Sequence, residues 1–272
     1  MDRFKVPDHG GQTMATIERL TVYPVKGLDG TDRDRADITP GGTLAHDREF
    51  AFFDDDGAVL NGKRTDRIHR LDTDFDPSTG ELVVAFDGER RRFDLADEPA
   101  RASAWFSDVF ETDLHLERDR ELGHVDRREM GPSVVSTATL REVASWFDEL
   151  PVDGVRRRLR ANVEIGGVPA FWEDRFVGED APAFEAGDGS TTVRFDGVTP
   201  CGRCVVPERD PDTGEPTPDF RERFLERRKA TFPEWADVDA FDHYYTLMLI
   251  ASVPECDRAQ TLAVGDTVQI VD

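Results

Sequence analysis

Positive charge, and lysine above all, is what this chain has little of. Its 272 residues hold 34 Lys and Arg against 57 Asp and Glu, a formal charge of -23, and the only lysines are Lys5, Lys26, Lys63 and Lys229. A surface that neutralises nucleic-acid phosphates or docks on anionic lipid needs an electropositive face, so neither nucleic acid nor a membrane is expected as a partner. The acidic residues are spread through every segment, in the manner of a halophile's solvated surface. Cysteine is scarce as well. Three cysteines, two of them in one C-x-x-C, cannot build a disulfide framework, which fits a reducing compartment. No apolar run approaches the roughly 18 to 20 residues that cross a bilayer. The opening MDRFKVPDHGGQTMA is polar and lacks the apolar centre of a signal peptide, so the expected location is the cytoplasm.

The apolar fraction is low, 38%, yet 18 Phe and 4 Trp supply enough large side chains to bury a core. The length suits one or two domains. Strands are expected at 17–25, 162–165, 191–198, 244–253 and 261–271, where β-branched and aromatic residues run between Gly, Pro and Asp. Two hairpins are expected, 50–53 with 58–60 and 82–86 with 89–93. The second is joined by Asp87-Gly88, the residues a type I′ turn prefers. Helical spacing appears at 101–110 and, with Ser136 or Thr137 as N-cap, through Leu140, Val143, Ala144, Phe147 and Leu150; a short charged helix is expected at 219–229. The fold class is therefore α+β, predominantly antiparallel β. The charged stretch 118–130 marks the expected division into domains 15–125 and 126–272.

The most specific local feature is Cys201-Gly202-Arg203-Cys204, followed by Asp210-Pro211-Asp212-Thr213-Gly214-Glu215. Such a pair can chelate zinc, run a dithiol couple, present one thiolate to a metal or cofactor, or sit inert in a core. Structural zinc needs a second pair, and Cys256, His243 and His115 do not form one at ligand spacing. A dithiol couple wants a helix N-terminus, whereas Val205-Val206-Pro207 continues as extended chain. Arg203 would place positive charge beside Cys204.

Cations gather at strand ends: Lys26 in Tyr23-Pro24-Val25-Lys26-Gly27-Leu28, Arg48 in His46-Asp47-Arg48, and Arg158 and Arg160 ahead of Asn162. Arg grips phosphate in bidentate fashion and Lys as a point charge, so together they could hold one phosphate and a polar ring system. Taken singly, each could equally pair with a surface carboxylate. His46 and His243 receive no catalytic role, and Asp212 is expected to make an Asx-type turn.

In order and spacing these motifs resemble the molybdenum cofactor sulfurase C-terminal (MOSC) domain family with its N-terminal β-barrel companion. The carrying stretches are 23–28, 46–50, Pro132-Ser-Val-Val-Ser-Thr-Ala-Thr-Leu140, 158–163, 201–204 with 210–215, and Val264-Gly-Asp-Thr-Val268. The resemblance implies an N-terminal β-barrel-like domain packed on a MOSC β-barrel with a few helices, and a molybdopterin cofactor bound between them. By motif, Cys204 corresponds to the thiolate that ligates molybdenum, and Lys26, Arg48, Arg160 and Asn162 to phosphate and pterin contacts. Gly27, Arg158, Gly202 and Arg203 complete the expected site. Gly27 and Gly202 stand where relatives can carry Ser, and Ala161 where they carry Pro. Members similar to amidoxime-reducing components reduce N-hydroxylated substrates at the metal.

No C-x4-C-x2-C ferredoxin pattern is present, so electrons would come from a separate ferredoxin- or flavoprotein-type donor. No pyridoxal phosphate site is evident. Three functions follow: a molybdenum-dependent reductase of N-hydroxylated or N-oxide compounds, a sulfur carrier using a cysteine persulfide, or a non-catalytic pterin or anion-binding module. If the anionic cofactor is bound, Lys26, Arg48, Arg158, Arg160 and Arg203 should converge on one cleft beside Cys204, reversing the global negative field.

Overall fold

The computed structural model describes residues 14–126 and 129–272. The polar opening segment with Lys5, and residues 127–128 of the expected boundary stretch, lie outside the described residues. The N-terminal part contains β1 (Thr16–Val22), β2 (Thr31–Arg33), β3 (Arg35–Asp37), β4 (Phe50–Asp54), β5 (Asp72–Asp76), β6 (Glu81–Phe86), β7 (Glu89–Asp94), α1 (Pro99–Phe110) and β8 (Leu114–Arg118). Then come β9 (Ser133–Ser136), α2 (Thr137–Ser145), α3 (Val152–Leu159), β10 (Val163–Gly166), β11 (Ala183–Gly187) and β12 (Thr192–Gly202). The chain closes with α4 (Phe220–Ala230), β13 (Thr246–Ser252), β14 (Thr261–Ala263) and β15 (Thr267–Val271).

The fold is α+β and mostly antiparallel. One large sheet runs β10-β9-β13-β12-β11-β15-β1-β2, and β1 also pairs with β10, so the order returns on itself. Closure is not that of a regular barrel, because β1 meets β15 only at Thr16 and Thr267. The single parallel ladder among the named strands, β9 with β10, follows from α2 and α3: a parallel neighbour requires a crossover, and these helices supply it. Smaller sheets, β5-β6-β7, β4-β8 and β3-β14, make up the rest, and none of them closes.

Three apolar clusters hold these pieces. One lies within the large sheet and joins Ile17, Leu20 and Val22 to Phe176, Phe184, Phe195 and Leu249. A second gathers Phe50, Phe52, Phe75, Phe93 and Phe106, with Phe52 stacked on Phe106 at 4.1 Å between centroids. The third packs α2, α3 and α4 together through Leu140, Trp146, Leu159 and Phe224. The first cluster draws on both ends of the chain, so the cores do not divide it into consecutive halves.

The Asp87-Gly88 hairpin forms as expected, with φ of 49° and 84°. Elsewhere the structure departs from the sequence reading. β4 takes β8 as its ladder partner, and 58–60 contributes only the bridge Phe53 to Val59. The Asp54 carboxylate accepts from Asp56 N at 3.1 Å and Ala58 N at 2.8 Å, curling the chain too tightly for a longer ladder. The helix opening at Ser136 is capped as expected, Thr139 N donating to Ser136 Oγ at 3.0 Å, but it ends at Ser145, and after Pro151 the chain enters α3. Proline disfavours helical geometry in the residue before it, so one long helix through 150 is not available. The strand expected at 261–271 splits at Gly265, whose φ is 95°. β12 runs on to Gly202 and carries Cys201 at the end of a strand.

Candidate functional site

A cavity of about 750 Å³ opens where the loop after β1, the 61–71 loop, the α3–β10 link and the end of β12 meet. Lys26, Gly27, Arg48, Arg158, Arg160, Asn162, Gly202, Arg203 and Cys204 all line it. Its rim and walls carry eight cationic side chains, the named Lys and Arg with Lys63, Arg157 and Arg209, against three carboxylates, Asp29, Asp126 and Asp242. In a chain of charge -23 this is a local reversal of the field.

Tyr23 organises part of that charge. Its ring is buried; the Arg160 guanidinium lies 4.1 Å from its centroid and that of Arg48 5.4 Å away. The Tyr23 hydroxyl donates to Ala161 O at 3.2 Å, and its backbone N–H donates to Asp47 Oδ1 at 2.9 Å. Burial pushes the Tyr23 phenol well above its ordinary pKa. Both arginines adopt left-handed backbone geometry, φ 53° at Arg48 and 61° at Arg160, and so leave their elements at a turn, aimed together at one ring. Arg48 pairs with Asp47. Arg160 makes no ion pair among the described residues, and burial draws its pKa down.

Lys26 is held by two acceptors, His124 O and Asp126 Oδ1, each at 2.7 Å. Burial would raise the Asp126 carboxyl, but the hydrogen bond and charge of Lys26 outweigh it and pull the pKa to about 2. Asn162 is 2% exposed, and its side chain is spent on the scaffold. Its Oδ1 accepts from Ser133 N and Oγ at 3.1 and 3.0 Å, and its Nδ2 donates to Thr21 O at 3.1 Å. One amide hydrogen is left for a ligand. Arg158 is 5% exposed and donates to the carbonyls of Pro207 and Arg209.

All three cysteines are free. Arg203 contacts Cys201, not Cys204 as the sequence order suggests: Nη1 lies 3.0 Å from Cys201 Sγ, and Nη2 donates to Leu159 O at 3.1 Å. Cys204, half-buried, lines the cavity without a hydrogen bond. Among the described residues no three His, Cys, Asp or Glu gather as a metal site. The Asx turn belongs to Asp210, whose Oδ1 accepts from Asp212 N and Thr213 N at 3.0 Å each, while Asp212 pairs with Arg157 at 2.6 Å. His46 contacts Glu49 at 2.7 Å, and exposed His243 stands at the cavity beside Gly202.

Two wall residues, His69 and Arg209, and the buried Tyr23 that backs Arg48 and Arg160 were not singled out by sequence reasoning. Tyr23 lies inside a motif quoted for its lysine, and its two cation contacts depend on tertiary folding. His69 lies in the short 3-10 turn Arg67–Arg70 and Arg209 just after the one at Val206–Glu208, segments too short to show periodicity, so nothing local marks them.

Fold and cavity define an α+β, mostly antiparallel protein with one cation-rich cavity walled by residues from both ends of the chain. The chain matches the family model of the MOSC N-terminal beta barrel domain over residues 14–150 and that of the MOSC domain over residues 125–269. It belongs to the MOSC family. Over 251 residues it is 20% identical to mitochondrial amidoxime reducing component 2 of Bos taurus, spanning 75% of this chain and 69% of that protein. Among solved structures it is similar to the YUAD protein of Bacillus subtilis, with a TM-score of 0.42, 13% identity and coverage of 95% and 96% of the two chains. Among the described residues no helix is long and apolar enough to cross a membrane.

Proposed function

We propose that this chain is a molybdopterin-binding oxidoreductase that reduces N-hydroxylated or N-oxide compounds with electrons from a separate ferredoxin- or flavoprotein-type donor. The observation that carries the reading is the pairing of an unneutralised Arg160 with a free Cys204 in one cation-rich cavity. The residues fit the group. A phosphate and dithiolene sulfurs are anionic, the wall is locally cationic, and a soft thiolate suits a metal already held by sulfur. The volume lies within the roughly 300 to 1,000 Å³ usual for cofactor and ligand pockets.

When bound, the cofactor supplies two-electron oxygen-atom chemistry. In the net reaction two electrons and two protons are taken up, the N–O bond breaks, and the oxygen leaves as water. The protein binds and orients. Arg160 and Arg48, braced on Tyr23, present guanidinium groups to the phosphate; Lys26, fixed between His124 O and Asp126, adds a point charge; Cys204 offers its sulfur to the metal. Asn162, just before β10, is tied to the start of β9 through Ser133 and to β1 through Thr21, and so keeps this wall in place. The contact of Arg203 with Cys201 favours one other reading, a sulfur carrier holding a persulfide on either thiol.

Protein purified at high salt from a molybdopterin-competent host should hold about one molybdenum per chain, and Cys204→Ala should lose it. Metal-free wild type, or full retention in Cys204→Ala, overturns the reading. Cyanolysable sulfur without molybdenum would mark the carrier, and ligand binding without turnover from any donor a non-catalytic module.

A further inference from the structure

The cavity holds more positive charge than the reading above uses. Arg158, Arg209 and His69 all line it, and the hydrogen bonds of the two arginines go to neutral acceptors. Arg158, 5% exposed, donates to Pro207 O at 3.0 Å, with Asp210 3.7 Å away. Arg209 donates to Gly214 O at 2.9 Å, with Asp66 4.0 Å away. The buried Nε atoms of both arginines and Nε2 of His69 have no partner. The imidazole is seated closely: a Cβ at Gly62 would lie 2.7 Å from His69 Nε2, so a larger residue there would have to displace the ring. Cations in a protein wall cost free energy unless an anion joins them, and carbonyl dipoles are a partial substitute.

We infer that Arg158, Arg209 and His69 form a second anion subsite, which selects ligands bearing a carboxylate or phosphate in addition to the cofactor's own. On the proposed function, the substrates are acidic N-hydroxylated compounds; the subsite itself does not depend on that reaction. The charges around the imidazole agree. Burial and then Arg209, Arg160 and Arg158 push the His69 pKa below its ordinary value, opposed by Asp66, which favours the neutral ring, and a neutral imidazole still has one N–H to donate. An anion arriving beside it favours the imidazolium and must raise that pKa.

The test uses the full molybdenum-loaded chain and inorganic phosphate at constant ionic strength. The His69 ring signal, assigned by its loss in His69→Gln, is titrated against pH with and without phosphate. Phosphate should raise the His69 pKa by about one unit or more, and Arg209→Gln should abolish the rise. No rise in wild type overturns the subsite. A rise that is present in cofactor-free protein and lost when the same protein is loaded means that the anion occupies the cofactor's own phosphate site, which also overturns it. A kinetic arm compares an N-hydroxylated benzamidine with and without a 4-carboxylate. In Arg209→Gln the ratio of their KM values, acidic over neutral, should rise about tenfold while molybdenum content stays at the wild-type level. An equal KM change for both compounds overturns the substrate class. Should the wild type hold no molybdenum, the proposed function fails, and the phosphate titration still decides the subsite.

Discussion

Gly27 sits at φ 94°, and a Cβ built on it would meet Leu60 O at 3.0 Å, Asn61 Cα at 3.2 Å and Ile68 Cδ1 at 2.9 Å. Two of those three atoms are backbone and cannot swing away. Gly202 differs: its Cβ would touch only the His243 ring, at 3.7 Å, an ordinary contact. In the sequence the two positions look alike, each a glycine where relatives can carry serine, because φ and the fold of the 61–71 loop are not written locally. Left-handed geometry alone costs a non-glycine residue about 1 to 2 kcal/mol, and the backbone overlap adds to it. Gly27→Ser should therefore lose at least about 1 kcal/mol of stability in urea unfolding, while Gly202→Ser stays within about 0.5 kcal/mol of wild type. Equal effects at the two positions would refute this account of Gly27. Lys26, Arg48, Arg160 and Cys204 were legible because short motifs carry them; His69 and Arg209 reach the same cavity only through loop packing.

At the scale of elements, legibility followed the range of the determining contact. The β6–β7 hairpin was legible because Asp87-Gly88 fixes it locally, whereas the β4–β8 pairing joins segments some sixty residues apart and leaves no local mark. The 3-10 turn Trp172–Phe176 was likewise unmarked, yet it inserts Glu173, 1% exposed, against the start of α2, where Oε2 accepts from Ser136 N at 3.2 Å. Burial first, and then Asp174, push the Glu173 pKa from 4.5 up to about 8. Asp174 is itself paired with fully buried Arg228, which stacks 4.5 Å from the Phe171 centroid. Between about pH 4.5 and 8 the folded state therefore binds a proton at Glu173 that the unfolded chain releases, so stability falls as pH rises through that window. Glu173→Gln removes the titration and keeps an acceptor for Ser136. Urea unfolding at pH 5 and pH 8 should show wild type losing a few kcal/mol more than the variant over this interval. Parallel losses would mean that Glu173 is already ionised in the folded state.

For the whole molecule, the question is how a chain of charge -23 folds around a cation-rich cavity. Arginine is drawn to two tasks. Some guanidinium groups line the cavity, and many others meet carboxylates outside it, as in Arg19 with Asp32 and Arg92 with Glu81. These two pairs, unlike buried Arg228–Asp174, are solvent-accessible, and such pairs contribute about 0 to 1 kcal/mol each, so weakening them with salt costs little. The surplus carboxylates repel one another across the surface, and that repulsion is long-ranged until ions screen it: the Debye length falls from about 10 Å at 0.1 M salt to about 3 Å at 1 M. Screening of repulsion should therefore win over loss of ion pairs. The thermal midpoint should rise by several degrees between 0.1 and 1 M NaCl, and KCl should act alike because screening depends on charge, not on the identity of the cation. Reversing exposed carboxylates that do not line the cavity, as in Asp55→Lys with Asp56→Lys, should flatten the salt dependence by lowering the net charge. A midpoint that falls with salt would show that attractive pairs, not net repulsion, dominate the surface. The cavity should respond oppositely, since added ions screen its attraction for phosphate, so phosphate affinity at His69 should weaken over the same range in which the fold is strengthened.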